Sequence, residues 1–185
     1  MYTHYRHVLL DLGGVVFQST GVSNPVIHWD IISGLNNKYG HRLNVGEDLF
    51  PSFMMDYNKM TNQQLSGQLF LEEIWNTLDF NRELVDFLNQ RFEVHILSDN
   101  YRENIEYMTE RFSIPSWSKN QFYSFDFKKE KTDPSLFTDV LSKLGLNSDD
   151  VFFIDDSPKK ISTAADRGIS GLLFEGNEKM FQNIG

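Results

Sequence analysis

Asp11, Ser98, Lys131 and the adjacent Asp155 and Asp156 are the residues of this 185-residue chain best suited to joint chemistry. A carboxylate at position 11 can act as a nucleophile or hold a cation, a serine hydroxyl can donate to an anionic oxygen, and a lysine ammonium is a compact positive charge. Two neighbouring carboxylates after the apolar run Val151 to Ile154 repel one another where little solvent screens them, and a cation would relieve that cost. Taken singly, all but Asp155 have plainer readings. Asp11, followed by Gly13 and Gly14, suits a turn; Ser98, Asp99 and Asn100 suit a helix N-cap. Lys131 suits a solvated position ahead of a helix starting near Pro134, and Asp156-Ser157-Pro158 suits a helix start.

The elements that must position these residues are short. Val8 to Leu10, Val94 to Leu97, Val151 to Ile154 and Leu172 to Phe174 are apolar runs too short for helices, and they read as buried parallel strands. Between them, Tyr101, Ile105, Met108 and Phe112 form one helical stripe, and Leu136, Phe137, Val140, Leu141 and Leu144 form another, which Gly145 ends. Alternating strands and helices predict a doubly wound α/β fold on a parallel sheet. Its strands share one carboxyl edge, where Asp11, Ser98, Lys131 and the acidic pair can converge. Residues 18 to 81 break the rhythm, with helix-like stretches around Ile27, Ile31 and Leu35, over Leu49 to Tyr57 and over Leu69 to Leu78. They predict a small all-helical insertion after the first strand, leaving 1–17 and 82–185 as the core. Such an insertion is placed to act as a lid over the strand ends.

Composition narrows the function classes. The 26 acidic against 17 basic residues disfavour attraction to nucleic acid or anionic membranes. The absence of cysteine excludes disulfides, thiolate metal sites and a cysteine nucleophile, and it fits a reducing compartment. With no signal-peptide pattern over Met1 to Arg6 and no membrane-length apolar run, the cytoplasm is the expected location. Lys128 to Lys131 form the only local charge cluster and read as a solvated basic loop. Trp29, Trp75 and Trp117 suit either a contact surface or the core, and no macromolecular partner is assigned.

In order and spacing, the motifs resemble those of the haloacid dehalogenase-like superfamily across nearly the whole chain. VLLDLGGVVF at Val8 to Phe17 is similar to its first motif, with Asp11 in the nucleophile position. Ile96 to Asn100 resembles the second, in which the hydroxyl of Ser98 and the amides of Asp99 and Asn100 would hold a phosphoryl group. Ser124 to Phe137 resembles the third, with Lys131 seven residues after a serine and just ahead of Asp133-Pro134, although Thr132 stands where the family usually has proline. FIDDS at Phe153 to Ser157 resembles the fourth, whose acidic pair binds magnesium, Asp156 as the direct ligand. Residues 18 to 81 match the helical cap of the family's first cap class. The resemblance implies Mg2+ held by Asp11, the Gly13 carbonyl, Asp155 and Asp156, and a small phosphorylated metabolite as substrate.

Gly13 departs from the pattern, because family phosphatases usually carry there an aspartate that serves as general acid and base. Such help is worth about 10²- to 10⁴-fold in rate. Its absence tilts the expected substrate towards activated phosphates, such as an anomeric sugar phosphate or an acyl phosphate. The DLG-type first motif resembles a bacterial branch related to glucose-1-phosphate phosphatases. His28, Asp30 and Asp56 in the insertion are substitute acids by residue type. Two rival readings stand: a metal-independent 2-haloacid dehalogenase, against which the acidic pair argues, and a degenerate binding protein, for which Gly13 argues.

Overall fold

The computed structural model describes residues 2–185. In chain order its elements are β1 (His7–Leu10), β2 (Phe17–Ser19), α1 (Trp29–Asn44), α2 (Phe50–Thr61), α3 (Gly67–Trp75), β3 (Leu78–Phe80), α4 (Arg82–Asn89) and β4 (Glu93–Ser98). There follow α5 (Arg102–Phe112), β5 (Asn120–Tyr123), α6 (Ser124–Phe127), α7 (Pro134–Leu144), β6 (Val151–Asp155), α8 (Pro158–Ala165), β7 (Ser170–Leu173) and α9 (Asn177–Ile184). The main sheet has the order β5-β4-β1-β6-β7, and all its pairings are parallel. This is the doubly wound α/β architecture that the alternation of strands and helices predicts.

The central strands are apolar because helices cover both of their faces. Along β1 and β6 successive side chains turn to opposite sides. Val8, Leu10, Phe152 and Ile154 join one core, which continues into the helical insertion, while Leu9 and Phe153 join the other with Leu136, Phe137 and Val140 of α7. Leu10 stands in register with Ile96 on one side and Ile154 on the other, so β1, β4 and β6 finish at one edge. Helix α7 begins on Pro134 behind the Asp133 cap, whose side chain accepts from the Ser135 amide at 2.9 Å, and it ends at Gly145 with φ +68°.

Three differences from the expected elements have local causes. Strand β5 has the polar sequence Asn-Gln-Phe-Tyr and lies at a sheet edge, where one side of the strand has no neighbour, so periodicity does not announce it. The insertion is not wholly helical: Phe17–Ser19 pairs antiparallel with Leu78–Phe80, closing its two ends together in a two-stranded sheet. Strand β7 starts two residues earlier than the apolar run, because Ser170 and Gly171 pair with Phe152 and Phe153. Gly171 is required there, since a Cβ would stand 2.5 Å from Ile161.

Helices α1, α2 and α3 pack through aromatic contacts, with Phe53 and Tyr57 each edge-on to Phe70. Phe50 stacks on Tyr101 of the loop after β4 at 5.4 Å between centroids, tying the insertion to the sheet. Trp75 is buried, its indole N–H donating to Asn104 Oδ1 at 2.8 Å, whereas Trp29 is 48% exposed. Among the described residues no helix is long and apolar enough to cross a membrane. Phe152 is fully buried under Tyr2, Tyr5 and Phe92. Phe152→Ala is therefore expected to lower unfolding free energy by about 3 to 5 kcal/mol in urea titration; a loss below about 1 kcal/mol would show that this layer is not the packed core.

Candidate functional site

The carboxyl edge of β1, β4 and β6 gathers the residues separated by up to 145 positions in sequence. Asp11 continues β1, its amide donating to Ile154 O at 3.0 Å, and its Oδ1 accepts from the Leu12 amide at 2.8 Å. The chain then turns sharply, and the Gly14 amide donates to Phe17 O at 2.9 Å. Gly14 has φ +75°, and a Cβ on it would lie 2.1 Å from Asp156 Oδ2, so only glycine lets the acidic pair approach this turn.

Lys131 is the centre of the arrangement. It has no exposed surface, and its Nζ lies 2.7 Å from Asp11 Oδ1 and 2.6 Å from Asp155 Oδ2. Its own amide donates to Asp99 Oδ1 at 2.8 Å, and Asp99 Oδ2 is 3.2 Å from Lys160 Nζ on α8. Asp155 Oδ1 accepts from the Ser157 amide at 2.8 Å. Burial pushes the Asp11 carboxyl up, against the pull of Lys131. Lys160 is pushed up by Asp11, Asp99 and Asp155, against burial, which is the largest influence and pulls it down. Four carboxylates, those of Asp11, Asp99, Asp155 and Asp156, face two ammonium groups here. The residual negative charge favours a cation.

Asp11, Asp155 and Asp156 can place one carboxylate oxygen each within 4.8 Å of the others. An all-oxygen donor set fits a hard divalent cation such as magnesium. The two members of the acidic pair differ: Asp155 is fully buried and committed to Lys131, while Asp156 is exposed and lies against Gly14.

Several of the plainer readings are corrected. Ser98 is not a helix cap; it ends β4, only 1% exposed, and α5 starts at Arg102 after Tyr101. Asn100 is held instead by Ser124, whose Oγ accepts from its amide at 3.1 Å. Lys131 is not solvated, and neither is its loop a free basic patch: Lys129 pairs with Asp139 at 2.6 Å, and Glu130 meets His41 at 2.7 Å. Two of the insertion's substitute acids are engaged elsewhere. Asp56 is bound by Lys38 and Tyr39, both at 2.7 Å, and these bonds lower its pKa; His28 contacts Gln63 at 3.3 Å. Among the described residues, none of His28, Asp30 and Asp56 bonds to Asp11, Ser98 or Lys131.

Lys160 and His41 are what reading the sequence missed. Lys160 lies one helical turn after the acidic pair, where Pro158 and the chain direction turn it back to the site, and only its distance from Asp156 hints at this. A cavity of about 360 Å³ between α1 and the loop after β4 is lined by Asn36, His41, Asn44, Asp99, Asn100 and Tyr101. An apolar cleft of about 150 Å³ adjoins it, with Trp29, Phe50, Phe70 and Tyr101 among its walls.

Comparison with known proteins identifies the family and the fold. The family described as haloacid dehalogenase-like hydrolase matches residues 35–173. Flavin mononucleotide hydrolase 1, a chloroplast protein of Arabidopsis thaliana, is 28% identical over 111 residues, which are 60% of this chain and 45% of that protein; the chain thus spans less than half of this relative. A haloacid dehalogenase family enzyme of Bacteroides thetaiotaomicron, solved with magnesium and inorganic phosphate, superposes with a TM-score of 0.71 at 20% identity, covering 96% of this chain and 99% of that one. A 2-haloacid dehalogenase of Pseudomonas syringae superposes at 0.61 with 17% identity, covering 92% and 86%. By the family match across three quarters of its length and by its fold, this chain belongs to the haloacid dehalogenase-like hydrolases.

Proposed function

We propose that the chain is a magnesium-dependent hydrolase of small phosphate monoesters, with Asp11 as the nucleophile. The observation that carries this reading is the buried Lys131 ammonium, bonded at once to Asp11 and Asp155 beneath a trio of carboxylates. A dianionic phosphate cannot approach an unscreened carboxylate, so the attack needs positive charge around the reacting oxygens. Lys131 supplies part of it. Magnesium, held by Asp11, Asp156 and the Gly13 carbonyl, supplies the remaining charge compensation when bound.

Asp11 Oδ attacks phosphorus as the ester oxygen leaves on the opposite side, giving an aspartyl-phosphate that water then cleaves. Ser98 and the Asp99 amide hydrogen-bond the phosphoryl oxygens, whereas the Asn100 amide, expected to join them, is already given to Ser124 Oγ. Asp155 works through Lys131, holding its ammonium in place. The magnesium and phosphate complex of the Bacteroides enzyme supports this assignment, and the acidic pair speaks against a metal-independent dehalogenase.

The leaving group meets the cavity under α1, whose amide and imidazole side chains suit an uncharged, polyhydroxylated group. Two supports then point to different substrates. Gly13 leaves no proton donor beside the ester oxygen, which favours an anomeric sugar phosphate or an acyl phosphate. The relative's name favours flavin mononucleotide, a primary alkyl phosphate whose ring system suits the apolar cleft and whose departure needs a proton. His41 is the imidazole lining the cavity and the donor available for that case.

Phosphate release from glucose 1-phosphate, acetyl phosphate and flavin mononucleotide, with and without magnesium, tests the reading. Turnover is expected to need magnesium and to vanish in Asp11→Asn; turnover that survives either removal would defeat it. Gly13 has no positive φ, and a Cβ there meets nothing within 4 Å. Gly13→Asp is thus expected to fold and to raise the rate on alkyl phosphates by about 10²-fold or more, and an unchanged rate would remove the missing acid as the explanation. Lys131→Met leaves Asp11 and Asp155 facing each other without their cation. It is expected to abolish turnover and to cost about 3 to 5 kcal/mol of stability in metal-free buffer, measured by urea unfolding.

A further inference from the structure

At the opposite edge of the sheet from Asp11, the amino ends of β1 and β4 bring together groups that the proposed hydrolysis does not use. His7 pairs in register with Glu93, and His95, two residues on, projects to the same face. His7 Nδ1 is 3.1 Å from His95 Nε2 and 3.7 Å from Glu93 Oε2, and the three residues can place one donor atom each within 4.8 Å of one another. His95 is 1% exposed, while Glu93 is half exposed, so the cluster has a buried floor and an open mouth.

We propose that His7, Glu93 and His95 form a second metal site, selective for a borderline transition ion such as Zn2+ or Co2+ over magnesium. Two imidazoles and one carboxylate are the donor set that such ions prefer, whereas magnesium prefers the oxygen-only trio at the other edge. Two nitrogens bound to one ion at about 2.0 to 2.1 Å stand roughly 2.9 Å apart at a right angle and about 3.4 Å apart at the tetrahedral angle. The 3.1 Å separation of the ring nitrogens falls between these values.

Asn120 Nδ2 lies 2.9 Å from His95 Nδ1. In that orientation the amide donates to Nδ1, Nε2 carries the ring proton, and the proton bridges to His7. Turning the amide by half a rotation lets Asn120 Oδ1 accept from Nδ1–H, which frees Nε2 for an ion and gives the ligand the second hydrogen bond that metal-bound imidazoles usually have. Lys119, paired with Glu93 and largely exposed, is the group the ion displaces.

The site shares no residue with the proposed hydrolysis, so its test stands apart from that reading. Protein carrying Asp11→Asn and Asp156→Asn, stripped of metal, is titrated with Zn2+ by calorimetry and with Co2+ by visible absorption, and its melting temperature is followed. One equivalent should bind, Co2+ should develop the bands of an imidazole-bound ion, and Zn2+ should raise the melting temperature. His7→Ala and His95→Gln are each expected to weaken binding more than about tenfold and to remove the thermal shift. His7 is partly exposed, at 17% against 1% for His95, so His7→Ala decides the matter if His95→Gln does not fold. Absence of the Co2+ bands, or Zn2+ binding unchanged in His7→Ala, would overturn the proposal and leave a purely hydrogen-bonded histidine pair.

Discussion

At the carboxyl edge of the sheet a single ammonium group, that of Lys131, is shared between Asp11 and Asp155 with none of the three open to bulk solvent. Moving such charges out of water costs several kcal/mol for each ion, and mutual attraction repays it only where geometry is close to ideal. The surrounding structure can be read as the means of holding that geometry. β1 and β6 end in register so that Asp11 and Asp155 are neighbours, the Leu12 amide shares Asp11 Oδ1 with Lys131, the Ser157 amide occupies the remaining oxygen of Asp155, and Asp99 fixes the Lys131 backbone. A cluster this costly does not serve stability alone. On the proposed function, its value lies in presenting an oriented, charge-balanced carboxylate to an anionic substrate.

The same constraint explains which parts of the fold were legible in the sequence. Strands β1, β4 and β6 are buried on both faces and therefore carry continuous apolar runs, which is why their ends, and the charged residues on them, are recognised. Helices α5 and α7 show because one face of each is buried and the other solvated. β5 does not show: at the edge, with Asn120 and Gln121 half-buried, it obeys no strict alternation. β2 and β3 are three residues each, and their pairing joins positions about 60 apart, a contact that no local pattern encodes.

For the candidate site, residue type and order singled out Asp11, Ser98, Lys131, Asp155 and Asp156, although Lys131 taken alone reads as solvated, because a lysine ahead of a helix is ordinarily exposed. Only the strand that ends in Asp155 reveals its burial. Lys160 and His41 escaped for a different reason. Each reaches the site from a helix that also carries ordinary surface residues, and their placement is fixed by partners distant in sequence, Asp99 and Glu130.

Glycines 13 and 14 carry opposite constraints within one turn. At Gly14 the positive φ and the 2.1 Å approach to Asp156 leave no room for any side chain, so the glycine is required by the acidic pair. Gly13 is under no such requirement: its backbone is ordinary and the space above it is open. Steric necessity therefore accounts for one glycine and not the other. What Gly13 leaves out is a side chain two residues after Asp11, while the cavity between α1 and the loop after β4 has walls of amides, an imidazole and one ion-paired carboxylate. On the proposed function, the proton demanded by a poor leaving group has to come from that wall or not be needed at all, and this one position then ties the choice of substrate to the contacts of α1 with the loop after β4.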